Sequence, residues 1–334
     1  MTDFSKEKIK LIAIILFALL LAGCFPPPVP PEVTPEQPVV TEEFGHSFAV
    51  VFPIVHPFFD PVAMDAIEFG NEYGWDVTTR APEYADAGLQ ITIMEELIAL
   101  GVDGIAIGPT DPEALVDIIN TAIDQGIKVI CFETDAPKSN RLGYVGTNNY
   151  NAGRHMGYVI GKNLGDEGNI LILTGLSTQL SLNERIRGIE EYLASNHPGI
   201  TVLAVSSSEG DFDRAISVTE NLIETFPDFD ALIGIDATAG PAAIEVWKKR
   251  NWRPNSDKLI ITFDDMPTNL QGLRDGYIKA IISQRQNTWG HGVLLLLNSL
   301  VEGREIPDYT DTGSIEITLS NIDRYSDEMS WIEP

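Results

Sequence analysis

Several side chains of complementary chemistry could together bind one small molecule. They are His56, Phe58 and Phe59, then Glu133 and Thr134, and further along the chain Arg185, Asp236, Asp264 and Gln284. Carboxylates accept hydrogen bonds from hydroxyl groups, and an arginine can donate to two neighbouring oxygens. Aromatic rings cover the faces of a ligand that are made of C–H bonds. This combination favours a neutral ligand that carries many hydroxyl groups.

The sequence motifs of common catalytic and metal sites are missing. There is no glycine-rich phosphate loop, no Gly-x-Ser-x-Gly and no His-Glu-x-x-His. Two Asp-x-Asp segments begin at Asp211 and Asp228, but Ile216 and Ile233 stand where a calcium loop needs glycine. We therefore expect no catalytic residue, no metal and no cofactor. One enzymatic alternative is a glycosidase that uses Glu133 and Asp264 as its two carboxyl groups.

The elements that must position these side chains follow a regular order. Short apolar segments alternate with amphipathic ones, which predicts parallel strands joined by helices. The predicted strands cover residues 48–55, 75–79, 102–107 and 127–132, a short run at 142–145, and then 169–174, 201–205, 231–235 and 258–263. The predicted helices cover residues 59–73, 87–99, 112–125, 151–164, 182–195, 212–225 and 241–250. The pattern indicates an α/β chain with two doubly wound, Rossmann-like lobes, for which 334 residues are enough. Ligands of such sheets bind beyond the carboxyl ends of the strands, where most of the side chains named above lie.

Composition and charge disfavour one class of binding partner and one kind of covalent bond. The chain has 49 acidic against 22 basic residues, a formal net charge of -27 that disfavours nucleic-acid binding. Of the two cysteines, Cys131 lies in an apolar segment and is predicted to be a core residue. We expect no intrachain disulfide.

The N-terminal residues indicate export. Lys6, Lys8 and Lys10 flank an apolar run that is too short to span a membrane comfortably, so residues 1–23 are predicted to be a signal peptide. The run ends in Leu-Ala-Gly before Cys24, which resembles the bacterial lipobox and predicts lipidation of Cys24. An uncleaved anchor helix is the alternative. Residues 24–43 are rich in proline and predict an extended tether, which places the body at the outer face of the cytoplasmic membrane or in the periplasm.

Eight segments in order resemble the ribose-binding-protein family. They begin at Val55, Glu133, Tyr144, Asn183, Asp211, Asp236, Phe263 and Ser283, and the resemblance runs from about Phe44 to about Leu319. It implies the type I periplasmic binding protein fold, in which two lobes close on a sugar and deliver it to the permease of an ABC importer.

Residue by residue, the resemblance implies ring stacking by Phe58, Phe59 and Phe212. It implies ligand contacts by Glu133, Arg185, Asp236, Asp264 and Gln284. The chain departs from the ribose-binding pattern at His56, at Thr134 and at Asp236, where that pattern has an amide, an arginine and an asparagine. A different monosaccharide or a polyol is therefore expected. Trp289 is expected in the core.

The resemblance also sets the expected lobes. The N-terminal lobe would comprise residues 44–147 and 285–313, and the C-terminal lobe residues 148–284 and 314–334, with closure near Thr147, Gln284 and Gly313. We expect a monomer that touches the membrane only through its lipid.

Simpler alternatives remain at some positions: Asp236 and Asp264 could cap helices, His56 could be a turn residue, and Arg185 could pair with Glu184 or Glu190. A sensor of a sugar or an autoinducer, acting on a chemoreceptor or kinase, is the alternative function, whereas a transcription factor is excluded because no DNA-reading helix pair precedes residue 44.

Overall fold

The computed structural model describes residues 45–254 and 256–325. The predicted signal peptide, the predicted lipidation site Cys24 and the predicted proline-rich tether lie outside the described residues. In the part of the chain that is described, no helix has both the length and the apolar character needed to cross a membrane.

The described strands and helices alternate through most of the chain. The strands are β1 (Ser47–Val51), β2 (Asp76–Arg80), β3 (Gly104–Ile107), β4 (Lys128–Phe132), β5 (Tyr144–Gly146), β6 (Glu167–Thr174), β7 (Gly199–Ser207), β8 (Ala231–Gly234), β9 (Leu259–Phe263), β10 (Ile278–Ser283), β11 (Tyr309–Asp311) and β12 (Ile315–Ile317). The helices are α1 (Asp60–Tyr73), α2 (Ala87–Leu100), α3 (Val116–Asp124), α4 (Asn149–Leu164), α5 (Leu180–Asn196), α6 (Phe212–Thr225), α7 (Ala239–Lys249), α8 (Pro267–Arg274) and α9 (Trp289–Val301), with short 3₁₀ helices at Pro57–Phe59 and Gln286–Thr288.

These strands form two six-stranded sheets, each of which is the centre of one lobe. The first sheet has the order β11-β5-β4-β3-β1-β2 and its strands are parallel. The second has the order β12-β10-β9-β8-β6-β7 and is parallel except for β12, which runs antiparallel to β10. The predicted α/β fold with two doubly wound lobes is confirmed.

Helices cover both faces of each sheet and thereby bury the strands on both sides. In the first lobe, α9 and α1 pack on one face with Phe48 and Val50, while α2 and α3 pack on the other with Ala49 and Val51. The second lobe has the same arrangement in two further apolar clusters. Cys131 and Trp289 have no exposed surface, so the prediction that both are core residues is confirmed.

Local signals explain several helix ends. Asp86 and Asp211 cap α2 and α6 by accepting hydrogen bonds from the backbone N–H groups of Leu89 and Arg214. The helix predicted from Pro112 begins instead at Val116. Asp111 Oδ1 accepts from the backbone N–H groups of residues 113 and 114, which holds the intervening residues as turns.

The chain passes between the two sheets three times among the described residues. It crosses between β5 and α4, between β10 and the following 3₁₀ helix, and between β11 and β12. All three passages are short, as a hinge between two lobes requires.

Candidate functional site

A cavity lies where the carboxyl ends of the strands of both sheets meet. The space there that is not filled by protein atoms, counting the part open to solvent, is about 490 Å³. Many of the residues that line it come directly after the ends of β1, β4, β6, β7, β8, β9 and β10. The lining residues that were predicted from the sequence are His56, Phe58, Phe59, Glu133, Arg185, Asp236, Asp264 and Gln284. A concave site with an apolar wall and a few convergent polar groups is typical of small-molecule binding.

Glu133 follows β4 of the first lobe and is held by the second lobe. Its Oε2 accepts a hydrogen bond from Gln179 Nε2 at 2.6 Å, and its Oε1 accepts from Ser181 Oγ at 3.1 Å. Burial raises the pKa of Glu133 to about 7, against the lowering effect of Arg185 and of these two hydrogen bonds. Its backbone has a φ of 62°, in the left-handed region that few non-glycine residues adopt. This carboxyl group is therefore fixed in place by contacts that exist only when the lobes touch.

Arg185 is the guanidinium of the site and is 1% exposed. Its Nε donates to Asn149 Oδ1 at 2.8 Å, its Nη1 donates to the Ile235 carbonyl at 2.9 Å, and its Nη2 donates to Gln284 Oε1. The guanidinium carbon lies 4.4 Å from the centre of the Phe263 ring. The alternative of a surface pair with Glu184 or Glu190 is wrong, because Arg185 is buried and its guanidinium donates to the three groups just named.

Asp264 and Gln284 end two neighbouring strands of the second sheet. Gln284 Nε2 donates to Asp264 Oδ1 at 2.7 Å, so the amide joins the guanidinium of Arg185 to this carboxylate. Burial raises the pKa of Asp264 to about 7, while Arg185 and Gln284 lower it. The Asp264 backbone is also left-handed, with a φ of 69°, and its carbonyl accepts from Asn269 Nδ2 at 2.8 Å.

Asp236 and His56 approach the cavity from opposite lobes. Burial raises the pKa of Asp236, whereas hydrogen bonds from Thr238 and Ala239 lower it. His56 Nδ1 accepts from the Phe58 backbone N–H at 3.1 Å, so Nε2 carries the ring proton. That Nε2 lies 3.5 Å from Thr238 Oγ1 of the second lobe. Burial lowers the pKa of His56, so its imidazole is neutral and its Nε2–H is a hydrogen-bond donor.

Phe58 and Phe59 form the apolar side of the cavity and are 6% and 7% exposed. Their rings meet edge to face with centres 5.0 Å apart, and Phe58 packs edge to face on Trp289 at 6.0 Å. The rings thus face the cavity on one side and are held by the core of the first lobe on the other.

Two of the predicted site residues lie outside the cavity lining. Phe212 is 43% exposed, because the Asp211 cap starts α6 there and leaves Phe212 on the surface. Thr134 is buried, and its Oγ1 accepts from the Ser181 backbone N–H at 3.1 Å, so it joins the two lobes beside the cavity. The structure does not bring either side chain to the other eight.

Nine further residues of the described part of the chain line the cavity and were not predicted from the sequence. These are Pro53, Ile54, Gly175, Leu176, Gln179, Leu182, Gly210, Ala237 and Thr238. Several of them follow β1, β6, β7 and β8, and that position is the signal that could have identified them. Gln179 carries no such signal, because it is selected by its contact with Glu133 across the cleft.

The arrangement offers more acceptors than donors to a ligand. Three carboxyl groups face one guanidinium, and three of the five N–H groups of Arg185 already bind protein atoms. Such a site suits hydroxyl donors and opposes phosphate or carboxylate groups on a ligand. Within residues 45–254 and 256–325, no group of three or more acidic, histidine or cysteine side chains could hold a metal ion.

Comparisons with known proteins agree with this geometry. Residues 48–305 match the family described as periplasmic binding protein domain. The ribose import binding protein RbsB of Haemophilus influenzae is 23% identical over 251 residues, which cover 75% of this chain and 84% of that protein. An ABC transporter solute binding protein from Burkholderia graminis, solved in complex with D-arabinose, is 34% identical with a TM-score of 0.80, covering 84% of this chain and 97% of that chain. The XylFII-LytSN complex contains a chain that is 25% identical with a TM-score of 0.77, covering 82% of this chain and 98% of that chain.

Proposed function

Because this chain belongs to the periplasmic binding protein domain family and is similar to ribose-binding proteins, we propose that it captures a monosaccharide or polyol and delivers it to an ABC importer. The observation that carries the proposal is the cavity between the two lobes, to which the chain brings three carboxyl groups, one guanidinium, one imidazole and two phenyl rings. The protein would act as a binding protein and not as an enzyme. Its relatives and structural neighbours are named for binding and transport.

Each side chain has a proposed role. The carboxyl groups of Glu133, Asp236 and Asp264 would accept hydrogen bonds from sugar hydroxyls, and the free N–H groups of Arg185 would donate to ring or hydroxyl oxygens. The rings of Phe58 and Phe59 would cover a C–H face of the sugar, as the lining suggests. An epimer that leaves one buried carboxylate without a donor would bind more weakly, which makes the site specific.

The lobes and the anchor belong to the same proposal. We assign residues 44–147 and 285–313 to the N-terminal lobe and residues 148–284 and 314–334 to the C-terminal lobe. Support comes from the three chain crossings, which fall near these boundaries. We further propose that residues 1–23 are removed and that Cys24 carries the lipid that holds a monomeric body outside the cytoplasmic membrane. A Cys24→Ser variant that still incorporated labelled fatty acid and stayed with the membrane fraction would contradict this assignment.

A ligand screen tests sugar capture directly. Thermal-shift measurements would use neutral pentoses, hexoses and polyols, with ribose 5-phosphate and glucuronate as anionic controls. A ligand present at 100 times its Kd stabilises the native state by about 2.7 kcal/mol, which is readily measured. We expect at least one neutral sugar or polyol to raise Tm and neither anion to do so. A protein that responded to no neutral compound, or best to the anions, would refute the proposed ligand class.

A second candidate function is sugar sensing through a partner protein. The likeness to XylFII, which was solved in a complex with LytSN, favours this alternative. Pull-down from membranes of the native organism with and without the sugar separates the two functions. Recovery of an ABC permease supports import, and recovery of a chemoreceptor or kinase supports sensing.

A further inference from the structure

A hydrogen-bonded group joins the end of the described chain to the hinge beside the cavity. It consists of Tyr325, Ser283, Asp265 and Gln286. Tyr325 is 5% exposed, and its ring packs in an apolar cluster of the second lobe. Tyr325 also lies beyond residue 305, where the match to the family ends.

The direction of each hydrogen bond in this group follows from its chemistry. Burial and the nearby Asp265 carboxylate raise the pKa of Tyr325, so its hydroxyl remains protonated and donates to Asp265 Oδ2. Since that proton is used, Ser283 Oγ is the donor to Tyr325 Oη at 2.9 Å. The other carboxylate oxygen, Asp265 Oδ1, accepts from Gln286 Nε2 at 2.7 Å.

Three of these partners lie close in the chain to two residues of the cavity. Asp265 follows Asp264, and Gln284 and Arg285 stand between Ser283 and Gln286. Asp264 and Arg285 both have left-handed backbones, with φ values of 69° and 59°. Strained conformations of this kind persist only where the surrounding contacts fix them. The bonds of Tyr325, Asp265 and Gln286 supply such contacts next to Asp264 and Arg285.

We propose that Tyr325 is a positioning residue of the sugar site. Its hydroxyl fixes the end of β9 and the crossing after β10, so that Asp264 and Gln284 present their side chains to the sugar in one arrangement. This inference rests on the proposed function, and it adds to it a residue from outside the matched segment.

Calorimetry on the Tyr325→Phe variant tests the effect on binding, with D-arabinose, D-ribose and D-xylose as probes. The change removes one hydroxyl and keeps the ring that packs in the core. We expect about a tenfold loss of affinity for any probe that the wild type binds, because a bond to a charged partner is lost. Tyr277→Phe is the matched control: this ring packs against the same apolar cluster, at the start of β10 and away from Ser283. The control should keep wild-type affinity, and unchanged affinity in Tyr325→Phe would overturn the proposal.

A double-mutant cycle separates positioning from general stabilisation. If Tyr325 acts through Asp264, then Tyr325→Phe costs little further affinity once Asp264→Asn is present. Losses that simply multiply would show that Tyr325 supports the fold and not the carboxylate, and the proposal would then be wrong.

Hydrogen exchange of the ligand-free protein gives a readout that needs no sugar. The Asp264 N–H donates to the Ile282 carbonyl at 2.8 Å, and its exchange reports on this turn. We expect amides at residues 264–266 and 283–288 to exchange at least fivefold faster in Tyr325→Phe than in Tyr277→Phe. Unchanged exchange would overturn the positioning role. If the wild type bound no compound of the thermal-shift screen but Tyr325→Phe still exchanged faster, only the sugar assignment would be refuted.

Discussion

The raised pKa of Glu133 predicts an unusual dependence of stability on pH. An acid whose pKa is higher in the folded than in the unfolded state holds its proton longer when folded. Its contribution therefore destabilises the protein as pH rises from the usual value of 4.5 through the folded value of about 7. Below pH 4.5 the penalty is absent, and above pH 7 it is fully present. This direction is opposite to that of a carboxylate held in a surface ion pair.

The size of the effect follows from these two values. With about 1.4 kcal/mol for each pH unit, burial of the ionised Glu133 costs about 3 kcal/mol at pH 8. Part of the cost is already present at pH 5.5, so the change between pH 5.5 and pH 8 is about 2 kcal/mol. Glu133→Gln keeps the shape of the side chain and removes the titration. We therefore expect the wild type to lose about 2 kcal/mol relative to Glu133→Gln over this range.

Urea unfolding of the ligand-free proteins at several pH values measures this difference. Asp264, whose pKa burial also raises to about 7, is common to both proteins, so its effect cancels in the comparison. Glu113→Gln serves as a surface control, because the Glu113 side chain is 64% exposed beside Lys138. A difference between wild type and Glu133→Gln that stays constant with pH would show that Glu133 is ionised throughout, and the reasoning from burial would be refuted.

Three further predictions follow from the site and its supports. Arg185→Ala should weaken sugar binding by at least ~2 kcal/mol in calorimetry. It should also lower Tm, because three buried hydrogen bonds are lost. Unchanged affinity would show that Arg185 does not belong to the site. Phe58→Ala should destabilise the fold by about 3 kcal/mol and weaken sugar binding. Phe212→Ala should change sugar affinity less than twofold, because its ring lies on the surface. A larger loss of affinity in Phe212→Ala than in Phe58→Ala would show that Phe212 stacks on the sugar. Gly153→Ala should destabilise the protein by about 2 kcal/mol in urea unfolding, because a Cβ there would lie 2.1 Å from the Arg185 carbonyl oxygen. Wild-type stability of this variant would show that α4 and α5 can move apart at no cost in free energy.

The position of most site residues could be predicted because it depends on short-range features of the sequence. Alternating apolar and amphipathic segments place the strands, and the carboxyl ends of the strands place Glu133, Asp236, Asp264 and Gln284. The bounds of α6 agree with the prediction at both ends, since Asp211 is a strong helix cap. The same cap explains why Phe212 does not reach the cavity. The first residue of a helix has its direction set by the turn before it, and residue spacing carries no information on that turn.

Contacts between distant parts of the chain could not be predicted from the sequence. Gln179 lies 46 residues from Glu133, and Tyr325 lies 60 residues from Asp265. Nothing in the local sequence marks these partners, because neither a glutamine just before a helix nor a single tyrosine carries a signal in charge or hydropathy. Only the folded arrangement shows that each meets a carboxylate.

The contacts of Glu133 also connect assembly of the site with closure of the lobes. Gln179 and Ser181 belong to the second lobe, so separating the lobes removes both of their hydrogen bonds and returns the carboxylate to water. Closure without a sugar would therefore bury an ionised group at neutral pH, at the cost that raises its pKa. Under the proposed function, sugar hydroxyls would donate to this carboxylate and to Asp264, and they would replace the lost water. The carboxyl groups proposed to recognise the sugar would thus oppose closure in its absence, which would couple occupancy of the site to the closed form that a membrane partner recognises.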